Sequence, residues 1–201
     1  VPAKDQISPD AIGQFHKSWG GSMFEMLMPT LLVPEEKINP NLKNNITKYI
    51  QSQIEYGNQH DNGYWGYSPC YSPSGSYIEA GVPNLAVKEN GYGTEHIVTP
   101  HAILLSLPFV PEQAVNILEK LKKNYPVYRE GYGFYDSINT ETGETAKAYL
   151  SLDQCMSQIA IYNHLSKDGG IRKYFYPELE KMQGVIRFLG YRQPVLEQKV
   201  S

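Results

Sequence analysis

The stretch Gly21-Ser22-Met23-Phe24-Glu25-Met26-Leu27-Met28-Pro29 decides the fold class. It is apolar on nearly every side, so it reads as a helix buried all round, with Pro29 ending or kinking it. One acid, Glu25, stands in its middle. Further helices follow outward from it. Asn41 can cap a helix whose Leu42, Ile46, Tyr49, Ile50, Gln53 and Ile54 recur at helical spacing, with Gly57 as its stop. Thr99-Pro100 caps and starts a short apolar helix over 102–107, and Pro111 starts another with Ala114, Val115, Leu118 and Leu121 on one face. A fifth helix spans about 151–165, burying Leu152, Met156, Ile159, Ala160 and Tyr162, and ends at Gly169-Gly170. Pro177 opens a sixth, through Met182, Val185 and Ile186. The expected class is therefore all-α: about six helices in pairs, as in an α/α toroid, a complete one having about twice as many.

Two segments interrupt the helices. Residues 58–98 have no helical period and are dense in Gly, Pro, Ser and Tyr, as in Tyr64-Trp65-Gly66-Tyr67-Ser68-Pro69. Residues 125–150 form a second loop, in which Thr140-Glu141-Thr142-Gly143-Glu144-Thr145 reads as the turn of a small hairpin. Loops this long in a compact domain usually carry function.

Composition narrows the function. The chain has 201 residues, enough for one domain with its own core. Lys and Arg number 18 against 21 Asp and Glu, a net charge of −3, which argues against nucleic acid or an anionic membrane as partner. No run of 18 apolar residues spans a bilayer. Aromatic residues are instead abundant: 16 Tyr, 6 Phe and 2 Trp. Cys70 and Cys155 lie in no Cys-x-x-Cys or Cys/His cluster and read as free thiols, a single disulfide between them being the alternative. His96 and His101 are five apart, without the spacing of a metal-binding helix, so no metal and no cofactor are expected. Nucleophile-elbow and phosphate-loop motifs are absent from the sequence. The start at Val1, without Met or an apolar leader, reads as a piece of a longer or processed protein.

Most acids stand beside Lys, Thr or Pro and read as solvated surface. Glu25, Glu79, Asp136 and Asp153 do not: each sits among apolar, aromatic or Gly residues. A buried carboxylate must be hydrogen-bonded, paired, or raised in pKa and put to use. Acids beside Trp and Tyr suit a saccharide site, where one carboxyl protonates the leaving oxygen and another acts as base or nucleophile. The competing reading for each acid is a cap or a loop hydrogen bond, which weighs most on Asp153 in a helix first turn.

At these residues the sequence resembles the glycoamylase-like domain family, related to bacterial endo-β-1,2-glucanases and the C-terminal modules of cyclic β-1,2-glucan synthases. The resemblance rests on 19–29, Gly63-Tyr64-Trp65-Gly66-Tyr67-Ser68-Pro69, Gly91-Tyr92-Gly93, Val98-Thr99-Pro100-His101-Ala102, Tyr132-Gly133-Phe134-Tyr135-Asp136-Ser137 and Tyr149-Leu150-Ser151-Leu152-Asp153-Gln154, in the family's order. It implies a glycoside hydrolase acting on glucan, and that this chain is the C-terminal half of an (α/α)6 barrel. The division expected is a lead-in over 1–18, the domain over 19–190 and a tail over 191–201. Some relatives carry Glu in the Trp-Gly-x-Ser loop; Pro69 and Cys70 follow Ser68 here, which leaves Glu79 as the candidate acid. Asp136 stands where relatives place Asp or Glu.

The resulting site has Asp136 as base or nucleophile, Glu79 as general acid, and Glu25 in support or on substrate. Trp65, Tyr67, Tyr77 and Tyr135 would stack on sugar rings, while His101, Asp153 and Gln154 would bond hydroxyls. Carboxyls about 5–5.5 Å apart would mean retention and about 6.5–9.5 Å inversion. An extracellular or envelope location is favoured. The expected partners are glucan, the missing N-terminal half, or a second copy. Three rivals remain: a non-catalytic glycan-binding domain; a polysaccharide lyase, against which Lys and Arg are sparse in the two loops; and a purely structural truncated fragment, inactive until it meets its other half.

Overall fold

The computed structural model describes residues 16–38 and 40–181. Seven α-helices occur among them: α1 Met23–Leu27, α2 Glu35–Ile38, α3 Pro40–His60, α4 Pro100–Leu105, α5 Pro111–Asn124, α6 Ser151–Leu165 and α7 Tyr176–Lys181. The part of the expected sixth helix beyond 181, and the lead-in and tail outside 16–181, lie outside the described residues.

The opening stretch forms α1 and then tightens into a 3-10 turn over Met28–Leu31 at Pro29. A reciprocal cap starts it: Ser22 Oγ accepts from Glu25 N–H (3.2 Å), and Glu25 Oε2 accepts from Ser22 N–H (3.2 Å). Met23 and Leu27 are fully buried, and join Tyr49 and Ile50 of α3 and Ala102, Ile103 and Leu105 of α4 in one core. Helix α4 packs on α6, α5 and α1.

Two helix boundaries differ from the sequence reading. Helix α3 starts at Pro40, a favourable first position, and passes through Gly57 to His60. Gly57 is buried because the chain crosses it: a Cβ there would lie 2.0 Å from the Tyr64 carbonyl oxygen. Close approach, not termination, is what this glycine serves. Thr99 does sit at the start of α4, but its hydroxyl donates to the Gly66 carbonyl (3.1 Å) and so ties the long loop to the helix without capping it.

The chain is mainly helical as expected, but its strands go beyond the one small hairpin read from the sequence. Among the described residues, seven strands of two or three residues make three small antiparallel sheets: β1 Cys70–Tyr71 with β2 Tyr77–Ile78; β3 Ile97–Val98, β6 Ser137–Asn139 and β7 Thr145–Ala146; and β4 Tyr128–Arg129 with β5 Gly133–Phe134. The β6–β7 pair is the hairpin read at 140–145, with Ser137 opposite Ala146. The physical reason is length. Strands this short leave no alternating pattern, yet they satisfy the backbone of loops whose interior is buried.

A buried acid, Asp61, binds the two loops together. It accepts from the Tyr67 hydroxyl and from Thr140 Oγ1 (3.0 Å), and meets His96 Nδ1 at 2.6 Å. Both thiols are free, Cys70 buried and Cys155 exposed.

Candidate functional site

Helices α4 and α6 pack with their first turns adjacent, which sets His101 beside Asp153: Nδ1 to Oδ2 is 3.5 Å. Asp136 enters from the segment between β5 and β6. Its backbone N–H donates to Ala148 O (3.0 Å), and its Oδ2 accepts the Tyr71 N–H at 2.6 Å. Next to it, the Ser137 hydroxyl donates to the Tyr71 carbonyl at 2.6 Å. The β1 strand is thus clamped to Asp136–Ser137 across 65 positions of chain. One ligand-capable atom each from His101, Asp136 and Asp153 lies within 4.8 Å of the others, and all three side chains are buried.

The electrostatics follow from that crowding. Burial and the neighbouring Asp136 carboxylate push Asp153 up to about 8, and burial also raises Asp136. The Tyr71 N–H opposes the rise at Asp136. Both carboxyls are therefore raised, Asp153 the further, and the two titrate as a unit that favours holding a proton. Burial alone pushes His101 down to about 3, so its ring is neutral. Asp136 Oδ1, Asp153 Oδ2 and both His101 nitrogens are buried without a hydrogen-bond partner. A proton held between the carboxyls satisfies two of these atoms. The donor set also has the spacing of a small-cation site, and three ligands of this kind would leave open positions on an ion.

Cys70 lines the same region. Burial pushes its thiol up to about 12, the Ser137 hydroxyl opposes that, and the Asp136 and Asp153 charges add to it. The thiol is therefore inert at neutral pH. Across the β1–β2 hairpin, the exposed Tyr77 phenol is raised by burial and by Asp153, Cys70, Glu79 and Asp136 together. The Tyr92 phenol is raised by burial and by both Glu25 and Glu79. Glu79, itself exposed, is near enough to Tyr77 and to Tyr92 for its charge to raise both phenols.

The remaining expected residues divide by burial. Trp65 and Tyr67 are 2% and 0% exposed, so the sugar-stacking role expected of them is corrected: they are core. Tyr67 accepts at its carbonyl from Met23 N–H (2.9 Å) and donates its N–H to Gln53 Oε1 (2.9 Å), which locks it against α1 and α3. Glu25 accepts from Ser18 Oγ (2.8 Å), Gly20 N–H (3.0 Å), Ser22 N–H and the Tyr92 hydroxyl (3.3 Å). It lies outside the His101–Asp136–Asp153 cluster, and these contacts occupy both of its carboxyl oxygens. Gln154 donates to the Phe134 carbonyl (3.3 Å) and steadies the strand before Asp136. Tyr135 and Tyr77 remain accessible. Asp61 was missed. Its signal is the sequence Asp61-Asn62-Gly63-Tyr64-Trp65, an acid at the mouth of an aromatic run, of the kind that singled out the other four.

Paired helices carrying long loops, with acids gathered where those loops meet, define the class of α/α-toroid proteins. The chain belongs to the family described as "Putative glucoamylase" (Glycoamylase), which matches residues 4–177. It is 29% identical over 176 residues to a cyclic β-(1,2)-glucan synthase of Rhizobium meliloti, covering 80% of this chain and 6% of that protein. In structure it is similar to an endo-β-1,2-glucanase from Chitinophaga pinensis, solved with sophorotriose and glucose (TM-score 0.68, 23% identity, 88% of this chain and 42% of that one). It is likewise similar to a glucoamylase-family protein from Bacteroides uniformis (TM-score 0.67, 23% identity, 87% and 42%). The chain thus spans less than half of the relatives it matches.

Proposed function

We propose that this chain is the acid-bearing part of a glycoside hydrolase that acts on a glucan, with a β-1,2-linked glucan as substrate. The observation that carries the reading is the buried Asp136–Asp153 pair, clamped through Tyr71 to the loop that bears Tyr77 and Glu79. Asp153 holds the proton, and the Tyr71 N–H keeps Asp136 ionised and fixed in orientation. Asp136 is then the base that takes a proton from water, or the nucleophile that attacks the anomeric carbon. Glu79 gives a proton to the departing glycosidic oxygen. Tyr77 offers a sugar ring an exposed aromatic face beside both. His101, neutral and buried, packs behind Asp153. The C. pinensis glucanase complex and the R. meliloti synthase support the choice of linkage.

Incubation with β-1,2-glucan, read by release of reducing ends, tests the reading. Asp136→Asn should lower turnover about 1,000-fold, whereas Glu25→Gln should act through stability. Turnover undiminished in Asp136→Asn sinks the assignment. A second reading, glycan binding without turnover, is favoured by the 42% share of the solved relatives that this chain spans. Binding of the same glucan with no reducing ends released would select it.

A further inference from the structure

Two carboxyls and an imidazole meet in the interior with no cation to answer them. Among the described residues no Lys or Arg pairs with Asp136 or Asp153. Buried charge without a counter-charge is costly. A proton held between the carboxyls answers only part of this. His101 is 3% exposed, and both of its ring nitrogens lack a hydrogen-bond partner. A neutral imidazole has one donor and one acceptor to place, and buried side chains of this kind are as a rule bonded.

The unpartnered atoms converge. One ligand atom of each residue lies within 4.8 Å of the other two, and His101 Nδ1 is 3.5 Å from Asp153 Oδ2. Ligand atoms about 2.1 Å from a tetrahedral zinc ion stand about 3.4 Å from one another, so side-chain rotation closes this set on an ion. His101 and Asp153 stand on the first turns of α4 and α6, whose packing holds their backbones. Asp136 Oδ1 is unpartnered, while its Oδ2 accepts the Tyr71 N–H at 2.6 Å, an outer bond of the kind that orients a ligating carboxylate. Burial keeps the His101 ring neutral, the form that ligates. The three residues come from three separate segments, so the lack of a metal-binding helix spacing in the sequence does not test this set.

We propose that His101, Asp136 and Asp153 form a site for one divalent cation of the zinc class, bound through one imidazole nitrogen and one oxygen of each carboxyl. Mixed nitrogen and carboxylate donors suit zinc better than magnesium or calcium, which take oxygen sets. The ion displaces the acidic proton of the pair, which leaves to solvent. It also occupies the carboxylate that Asp136 would turn on water or on the anomeric carbon, and so switches hydrolysis off. That last consequence rests on the hydrolase reading; the site itself does not.

Calorimetric titration of the chelator-treated chain with zinc chloride reads the site. One ion per chain should bind, with a heat that changes with the ionisation enthalpy of the buffer as the proton leaves. His101→Gln and Asp153→Asn should each weaken binding at least about 100-fold, whereas His164→Gln, at an exposed histidine, should bind as the parent does. Melting temperatures in chelator check that each variant is folded. Cobalt(II) on the parent needs no variant: it should give visible ligand-field bands without the near-ultraviolet band of a cobalt–thiolate bond. No stoichiometric binding by the parent, undiminished binding by His101→Gln, or a thiolate band overturns the site. Zinc bound with turnover of β-1,2-glucan undiminished leaves the ion site standing and removes Asp136 from the hydrolytic chemistry. A chain that hydrolyses the glucan and binds no zinc does the reverse.

Discussion

Asp153 has the most telling environment of any residue here. Its carboxyl is raised from the ordinary 3.8 to about 8 by burial and by Asp136. The folded protein therefore favours a proton there that the unfolded chain does not. Its contribution to stability is complete below about pH 4 and is lost as pH rises toward 8. His101, pushed down to about 3, works the other way: the contribution of its neutral ring is present above about 6.5 and lost as pH falls. Between pH 7 and 8.5 His101 is neutral in both states, so the carboxyl stands out. His96 also loses stability with rising pH, because Asp61 raises it, and Asp153→Asn leaves that part untouched. The expected result is a melting temperature that falls less across this window in Asp153→Asn than in the parent, read by scanning calorimetry at both ends. Parallel curves would deny the shared proton. Asp61 has the structural counterpart. Asp61→Ala strands the Tyr67 hydroxyl in the core and frees Thr140 and His96, at a cost of about 3 kcal/mol, to be measured by urea unfolding.

Among the elements, the helices with strong punctuation were readable. Helix α6 runs over the residues its periodicity predicts and Pro111 begins α5, but Leu152, Tyr162 and Val115, read on their inward faces, are 58%, 45% and 45% exposed. Asp136 and Asp153 were singled out because an acid among aromatic and apolar residues needs a reason. Their meeting was not legible, since it depends on the Asp136 backbone docking on Ala148 just ahead of α6, a tertiary fact with no local trace. Trp65 and Tyr67 were misread for the opposite reason: composition says that a loop is aromatic, not which rings its folding turns inward. The short strands escaped notice because two residues carry no period. Gly57 shows how a local rule can mislead, for a glycine in a helical pattern signals either an end or a crossing chain. The crossing predicts its own test. Gly57→Ala raises helix propensity by up to about 1 kcal/mol, yet it must push aside the Tyr64 backbone. The net expected is a destabilisation of about 2 kcal/mol, and a gain in melting temperature would contradict the close contact.

For the molecule as a whole, the question is what covers the apolar side chains that α6 turns outward. On α6, Asp153, Met156, Ser157 and Ala160 face inward, while Ile161, Tyr162 and Leu165 share a different face and are 37%, 45% and 73% exposed. Apolar side chains grouped this way on one helix face favour association. The chain spans 42% of the solved relatives it resembles, so in a longer protein this face has further helices available to cover it. Alone, the chain is expected to cover it with a second copy. Sedimentation velocity should show a dimer that weakens on dilution, and Leu165→Ser with Ile161→Ser should shift it to monomer while the melting temperature at low concentration stays unchanged. A monomer for the parent chain at the highest soluble concentration would mean that the face is tolerated in water. The acid pair would be unaffected by that result, because His101, Asp136 and Asp153 come from α4, the β5–β6 segment and the inward face of α6, and none of these depends on what lies across the open edge.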